Sequence, residues 1–496
     1  MQMSIHFIFL LCYNYNVINV DDTICAIATA LSPAGIGIIR ISGNEAVKIV
    51  SNIFVNSKKE KITLNESHKI HYGYIYDEEK NDVIDEVLVL TMFKPKSYTA
   101  EDVIEIQCHG GLLVLKNILN LLVENGARIA EPGEFTKRAF LNGRIDLSKA
   151  ESVTDIIMSK NNYALKASFN QLKGNLSEKL NSFREEILES TAFIEACLDD
   201  PEHMSVDGFK PKLKSQCENI IAELDTIIKN YDNGKLIKEG INTVILGKPN
   251  VGKSSLLNTL LNEDRAIVTD IAGTTRDTIK ESINLNGITL NIIDTAGIRN
   301  EGNIDTVEKI GIDRAKSEAE KADLIILVLD SSKPLDKNDE ELISLCKTLN
   351  KKTIILNNKS DLCGGARETR AYDTHAVGAS IASPLCTGEL REPHINFSTK
   401  TKEGLQELTS TIEKMFIDKD LDFNNEIFIS NERQLQSIKN ARISLQNVLS
   451  SIEKYVSEDF LTIDLTDAYT HLSQVLGIEV TDDLINEIFS KFCMGK

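Results

Sequence analysis

The stretch INTVILGKPNVGKSSLLNTLL, residues 241–261, decides the fold of the middle of this chain. Its first six residues are mostly apolar and short, as a buried strand is. Gly247-Lys-Pro-Asn-Val-Gly252-Lys253-Ser254 follows and matches GxxxxGK[ST], and an apolar helix-like run comes next. A strand, a glycine loop and a helix in that order form a phosphate cradle. Backbone N–H groups and the positive end of the helix bind phosphate. Lys253 brings charge to the β- and γ-phosphates, and Ser254 a hydroxyl to Mg²⁺. The bland alternative is a chance glycine turn. Three further motifs, in the expected order, speak against it.

Asp294-Thr295-Ala296-Gly297 ends an apolar strand. Its aspartate suits the magnesium shell, and its glycine N–H can sense the γ-phosphate. Asn358-Lys359-Ser360-Asp361 ends the strand TIILN. A carboxylate at Asp361 can accept two hydrogen bonds, from guanine N1–H and the 2-amino group, which adenine does not offer. Thr274-Thr275 in IAGTTRD supplies a switch hydroxyl for Mg²⁺, and Ser398-Thr399-Lys400 is a candidate last base-contacting loop. The expected GTP-binding set is therefore Asn250, Val251, Gly252, Lys253, Ser254 and Ser255, then Thr269, Asp270, Ile271, Ala272, Gly273, Thr274 and Thr275, then the three later motifs. Ile298 stands directly after DTAG, where many small GTPases carry glutamine, and an isoleucine cannot orient water. Hydrolysis then needs another carboxylate or another cation. Asn250 offers a side-chain oxygen and the 269–274 loop offers carbonyls. Such oxygen-only ligands suit a hard alkali cation standing where an arginine finger would.

Outward from this core, residues 22–142 alternate strand-like and helix-like pieces. IGIIRISG, VIDEVLVLTMF and EDVIEIQC read as strands, and LLVLKNILNLLVENGARI as a helix closed near Gly126. Ser148 and Glu151 have capping-box spacing. A long helical stretch follows to about Lys238, punctuated by Pro201 and Pro211. ESINLNGITLNIID predicts a hairpin with Asn286-Gly287 in a type I′ turn. DLIILVLD and TIILNNKSD predict buried parallel strands. Leu435, Ile438, Ala441, Leu445, Val448 and Ile452 recur at helical spacing near the end. The expected fold is multidomain α/β and α. An α+β amino-terminal domain (22–142) follows an extension (1–21). A discontinuous helical bundle (143–239 and 418–496) encloses an inserted Ras-like P-loop G domain (240–417), since each amphipathic face must bury itself somewhere. Residues 363–394 contain no lysine and no asparagine and read as an inserted surface loop. A metal site from Cys363, His375, Cys386 and His394 is disfavoured, because their spacing matches no usual ligand set.

The 496 residues allow roughly three domains. A net charge of −19 argues against a general nucleic-acid coat, while a local basic patch or a nucleic-acid-carrying partner stays open. Nine scattered cysteines without a CxxC pair suit free thiols in a reducing cytoplasm. Residues 1–21 lack the positive start and small-residue cleavage site of a signal peptide. No run reaches the ~20 apolar residues that span a bilayer. The closing KFCMGK could be a lipid anchor, a frayed end or part of a site. Met-Gly-Lys after Cys493 matches a prenylation box poorly.

From Asp22 to Lys496 the chain resembles the MnmE (TrmE) family of tRNA-modifying GTPases. The likeness rests on DTICAIAT with GIIRISG, YTAEDVIEIQCHGG, PGEFTKRAFLNGRIDLSKAE and GKPNVGKSSLLN. It continues through IVTDIAGTTRD, DTAGIR with VEKIGI, and the terminal FCMGK. The resemblance implies a homodimer that works with a flavin-dependent partner, MnmG (GidA), in a hetero-oligomer. Together they place an aminomethyl or carboxymethylaminomethyl group on C5 of the wobble uridine (position 34) of certain tRNAs. A reduced folate, 5-formyl- or 5,10-methylene-tetrahydrofolate, supplies the one-carbon unit. Hydrolysis would be potassium-stimulated, with Asn250, Thr269, Ile271 and Thr274 on K⁺ and Ser254 and Thr275 on Mg²⁺. Glu308 would position the water. The amino-terminal module would bind folate and dimerise, with Arg40, Glu105, Arg144 and Lys496 at the ligand and Cys493 beside the chemistry. Glu105 alternates with Ile104 and Ile106, so it faces away from them on a strand, where a carboxylate can meet a pterin's amidine edge. A solvated strand face is the bland alternative. Arg144 departs from the lysine of many relatives, and a planar fork is not a point charge.

Two other classes compete. A regulatory GTPase switch in ribosome assembly would share the nucleotide motifs, yet needs neither the amino-terminal module nor the terminal cysteine. A membrane-associated GTPase would have to use residues 1–20.

Overall fold

The computed structural model of the protein describes residues 22–200, 203, 208–263, 281–293, 316–362, 392–416, 427–454, 456–478, 480–492 and 495. The extension 1–21 and most of the 363–394 stretch lie outside the described residues. The chain forms two compact units: Met1–Ile157 with Gln171–Leu224 and Gln436–Lys496, and Met158–Asn170 with Asp225–Leu435.

The first unit is built on a seven-stranded sheet: β1 (Ile24–Ile27), β2 (Ala34–Ser42), β3 (Phe54–Val55), β4 (Lys69–Asp77), β5 (Asp82–Met92), β6 (Val103–Gly110) and β7 (Arg128–Ile129). The order across the sheet is β3-β4-β5-β6-β2-β1-β7. The helices Ala46–Ile53 and Leu112–Glu124 cover one face. Their Ile49, Val50, Leu115 and Ile118 pack on Ile39, Ile41, Ile104 and Ile106. Period-two alternation therefore sends Arg40 and Glu105 to the other face, as read for Glu105. Directly paired residues share a face, and one row runs Ile70, Leu90, Glu105, Arg40. Beside it Ile70 and Tyr72 are 60% and 55% exposed, so this second face stays bare of helices at the β4 end.

Helices of the same unit include Glu134–Leu141, Leu147–Met158, Asn175–Asp199, Glu458–Leu476 and Asp482–Ser490. Asn175–Asp199 packs along Glu458–Leu476, with Leu180, Phe183 and Ile187 buried on one and Leu465, Leu472 and Val475 on the other. Arg184 crosses this seam to the Tyr469 hydroxyl at 2.8 Å and Ser473 Oγ at 2.9 Å. Residues before and after the P-loop stretch thus share one helical layer.

Three local readings change. The cap of the Leu147–Met158 helix is Asp146, not Ser148: Asp146 Oδ1 accepts the Lys149 N–H at 2.9 Å, and Ser148 lies inside the first turn and donates to the same oxygen. The helical stretch, read as punctuated by Pro201 and Pro211, breaks at more places into five helices, and Pro211 sits in the first turn of Lys210–Lys229, where a missing N–H costs nothing. His394, read as the end of the surface loop, instead opens the strand β13 (His394–Asn396).

The second unit carries β8 (Ile241–Leu246), β9 (Glu281–Leu285), β10 (Ile288–Ile292), β11 (Leu324–Asp330), β12 (Lys352–Asn358) and β13, in the order β13-β12-β11-β8-β10-β9. β10, β8, β11, β12 and β13 are parallel, and β9 is the antiparallel edge of a hairpin. Asn286 (φ 50°) and Gly287 (φ 88°) both take positive φ, as a type I′ turn needs. The six residues from Leu324 to Leu329 are all buried, because core lies on both faces of the sheet.

Candidate functional site

The nucleotide loop runs from the end of β8 into the helix Lys253–Glu263. Asn250 (φ 64°) and Gly252 (φ 104°) occupy the left-handed region, which turns successive N–H groups inward as a nest. Glycine at 252 is required twice over, since a Cβ there would also collide with the Asn358 amide. Lys253 Nζ folds back onto the carbonyls of Gly247 at 2.9 Å and Lys248 at 2.8 Å. Phosphate oxygens are stronger partners for an ammonium group than these carbonyls. The donor set therefore fits a polyphosphate. Lys248 Nζ ties the outside of the loop to Asp336 and Asp339 at 2.6 and 2.7 Å. Their hydrogen bonds hold its ammonium above the ordinary lysine value.

The ends of β11 and β12 brace this loop. Asn358 Nδ2 donates to the Val251 carbonyl at 2.7 Å. Lys359 Nζ donates to the Asn250 carbonyl at 3.0 Å and pairs with Asp330 at 2.7 Å. Burial pushes the Asp330 carboxyl up, but hydrogen bonds from Lys359 and Ser332 outweigh it and hold it below the usual range. Asp361 Oδ1 accepts from Ser398 Oγ at 2.8 Å, which joins the two expected base-contacting loops across 37 residues of sequence. Ser398 is itself fixed: its N–H donates to the Glu403 carbonyl at 3.1 Å and its Oγ accepts the Thr401 N–H at 3.2 Å. The Thr399 N–H reaches Asn358 Oδ1 at 3.4 Å. Asp330 and Lys248 went unread in the sequence, although Asp330 closes the apolar run LIILVLD, where polar strand ends face a site. Thr269, Asp270, Ile271, Ala272, Gly273, Thr274, Thr275, Asp294, Thr295, Ala296, Gly297 and Glu308 lie outside the described residues.

A second cluster sits on the other sheet, on the face turned away from its two helices. Arg40 and Glu105 are directly paired on β2 and β6. Glu105 Oε1 accepts from Arg40 Nε at 2.9 Å and pairs with Nη2 at 2.7 Å. The two side chains are 14% and 15% exposed, so Glu105 is no solvated surface carboxylate. Arg40 Nη1 also reaches the Gly495 carbonyl at 3.4 Å. Gly495 is buried at φ 81°, and a Cβ there would strike the Ile27 carbonyl. Arg144 lies close by in contact with the same aromatic ring as Arg40, that of Tyr98. Sequence reading did not single out Tyr98; it lies in a loop, where no periodicity marks it. An arginine pair and a carboxylate suit an anionic, hydrogen-bonding ligand. Since Arg40 already holds Oε1, a pterin would share that oxygen or use Oε2. Cys493 and Lys496 lie outside the described residues.

A charge network is built around the buried Arg138. Arg138, 2% exposed, donates to Asp22 Oδ1 at 2.6 Å, Glu134 Oε1 at 3.1 Å and Glu101 Oε2 at 3.3 Å. Arg128 pairs with Asp22 at 2.6 Å and Glu134 at 2.5 Å. Among the described residues no group of three or more His, Cys, Asp or Glu is placed to hold a metal, and no helix is long and apolar enough to cross a membrane.

Comparison with known proteins adds a family likeness. The profile described as MnmE helical domain matches residues 147–493, and that described as GTP-binding protein TrmE N-terminus matches residues 23–144. The chain is 50% identical over 476 residues to a tRNA modification GTPase MnmE of Lachnoclostridium phytofermentans, covering 96% of this chain and 99% of that protein. It is 44% identical over 476 residues to the protein of that name from Acetivibrio thermocellus, covering 96% and 99%. Among solved structures, an Era variant of Aquifex aeolicus bound to GDP·AlF₄⁻ is 29% identical, covering 41% of this chain and 66% of that one, with a TM-score of 0.27. At that score the sheet order above, not this likeness, carries the fold assignment.

Proposed function

Because the chain belongs to the MnmE (TrmE) family, we propose that it is a potassium-stimulated GTPase acting with a flavin-dependent partner of the MnmG (GidA) type to add a carboxymethylaminomethyl or aminomethyl group to C5 of the wobble uridine of certain tRNAs. The observation that carries this reading is the reach of the likeness: 50% identity over 476 residues takes in both the Arg40–Glu105 module and the nucleotide loop.

Each side chain then has a role. The 250–255 loop and Lys253 bind the GTP phosphates, and Ser254 with Thr275 holds Mg²⁺. Asn250, with Thr269, Ile271 and Thr274, holds K⁺ beside the phosphates, where charge develops as the bond breaks. Glu308 orients the water that Ile298 cannot. Asp361, with Asn358 and Ser398, reads guanine. Arg40, Glu105, Arg144 and Lys496 hold a reduced folate, which supplies the one-carbon unit when bound, and Cys493 lines that site. The exposed Ile70 and Tyr72 face supports a homodimer, since bare apolar sheet surface calls for a partner. A pure assembly switch has no use for the paired arginine and glutamate. The protein would work in the cytoplasm, where tRNA is.

The test is nucleoside analysis of tRNA from a strain lacking this protein. C5-substituted wobble uridines should disappear; their persistence at wild-type levels would sink the enzyme reading. Separately, GTP hydrolysis should run faster in potassium than in sodium, and equal rates would remove the potassium role.

A further inference from the structure

We infer that Tyr98 is a positioning residue of the folate site: its ring holds Arg40 and Arg144 in the arrangement the ligand meets. The inference rests on the folate reading above. The carbon at the centre of each guanidinium lies 5.1 Å from the centroid of the Tyr98 ring. Both distances are within cation–π range, and a planar guanidinium stacks on such a face where an ammonium only touches it. One ring therefore links two cations that are distant in sequence, with Arg40 held in addition by Glu105 and lying 5.6 Å from the centroid of the Phe135 ring.

The ring is itself held rigidly. The Tyr98 hydroxyl lies 2.8 Å from Thr136 Oγ1, and Thr136 is fully buried. The Tyr98 carbonyl accepts from Arg144 Nη1 at 3.0 Å. The ring packs against Ile24, Ala26, Ala130 and Phe135. Its neighbours in the loop are pinned as well: Asn142 Nδ2 donates to the Thr99 carbonyl at 2.7 Å, and Ser42 Oγ lies 2.7 Å from Thr99 Oγ1. Arg144 is otherwise a surface residue, so a free side chain there would lose much rotamer freedom on meeting a ligand. A ring that immobilises it beforehand reduces that loss. This also gives the arginine at 144 a physical reason that a lysine would not share.

The alternative is that Tyr98 only fills space, and the experiment separates the two. Full-length protein carrying Tyr98→Phe or Tyr98→Leu is titrated with 5-formyltetrahydrofolate by calorimetry, with thermal unfolding measured alongside. Tyr98→Phe keeps the ring face and should bind within about threefold of wild type, while Tyr98→Leu should weaken binding at least about tenfold. Arg144→Ala should also weaken it. If Tyr98 acts through Arg144, the double variant loses clearly less than the product of the two single losses. Should Tyr98→Leu fail to fold, Tyr98→Met takes its place, filling the pocket without a ring. Wild-type affinity in the leucine or methionine variant, or losses that simply multiply, would overturn the inference and leave the folate reading intact. A wild-type protein that binds no 5-formyltetrahydrofolate would overturn both.

Discussion

Asp361→Asn tests the guanine reading most directly. Asp361 Oδ1 is held by Ser398 Oγ at 2.8 Å, and Ser398 is buried and tied to Glu403 and Thr401. The carboxylate is therefore aimed before any base arrives. Guanine would present two donors to it, N1–H and the 2-amino group. Hydrogen bonds to a charged group contribute about 1.5–3 kcal/mol each. Asp361 is exposed, so the lower end applies, and losing both costs roughly 3 kcal/mol, on the order of 10²-fold in affinity. An amide in the same place also turns one acceptor into a donor that opposes the base. The assay is displacement of a fluorescent GDP analogue by GTP, ITP and XTP. GTP affinity of the variant should fall about 10²-fold. ITP, which lacks the 2-amino group, should bind wild type with intermediate strength. XTP should gain on the variant, because xanthine carries a carbonyl where guanine has its amine. A variant that binds GTP within about threefold of wild type would show that this carboxylate does not read the base.

Four further outcomes follow from the geometry. Arg138→Met should destabilise the protein by about 3 kcal/mol, because it takes from Glu101 its arginine partner and from Asp22 and Glu134 one of their two, Arg128 keeping the other; unfolding curves that match wild type would contradict this. In the wild type, burial raises the Asp22 and Glu134 carboxyls, yet hydrogen bonds from Arg128 and Arg138 bring both below their ordinary values. That contribution is complete above the unfolded carboxylate range near pH ~4–4.5 and drains as pH falls, so acid unfolding should begin at higher pH, and less steeply, in Arg138→Met. Cys25, Cys108, Cys217 and Cys346 are buried, with burial pushing their thiols up to about 12, 11, 12 and 11, so mass spectrometry after thiol labelling of the native protein at pH ~8 should find none of the four modified. Removing residues 364–391 should leave GTP affinity within about threefold, since loop length changes closure entropy slowly. The cut must stop before Pro393, whose carbonyl accepts the Ile355 N–H at 3.0 Å and starts the β12–β13 ladder. A loss of guanine over adenine selectivity would show that the removed loop shapes the base pocket.

β8, β11 and β12 were readable because core on both faces makes each a continuous apolar run, as in LIILVLD, whereas the three-residue edge strand β13 was not. β2, β5 and β6 were readable for a related reason, with one face against helices. β4 was not, because Ile70 and Tyr72 put apolar side chains on the outward face too and blur the alternation. β3 and β7 have two residues each, too few for any period. The same divide runs through the sites. The phosphate loop is contiguous, so its spacing is its signature. The union of Asp361 with Ser398 exists only because β13 lies beside β12, and the stacking of Arg40 and Arg144 on one ring only because β2, a loop and a helix end converge.

Arg40 and the Gly495 carbonyl meet although 455 residues separate them. A ribosome making this chain therefore finishes the seven-stranded sheet long before it delivers the last contact of the Arg40 cluster.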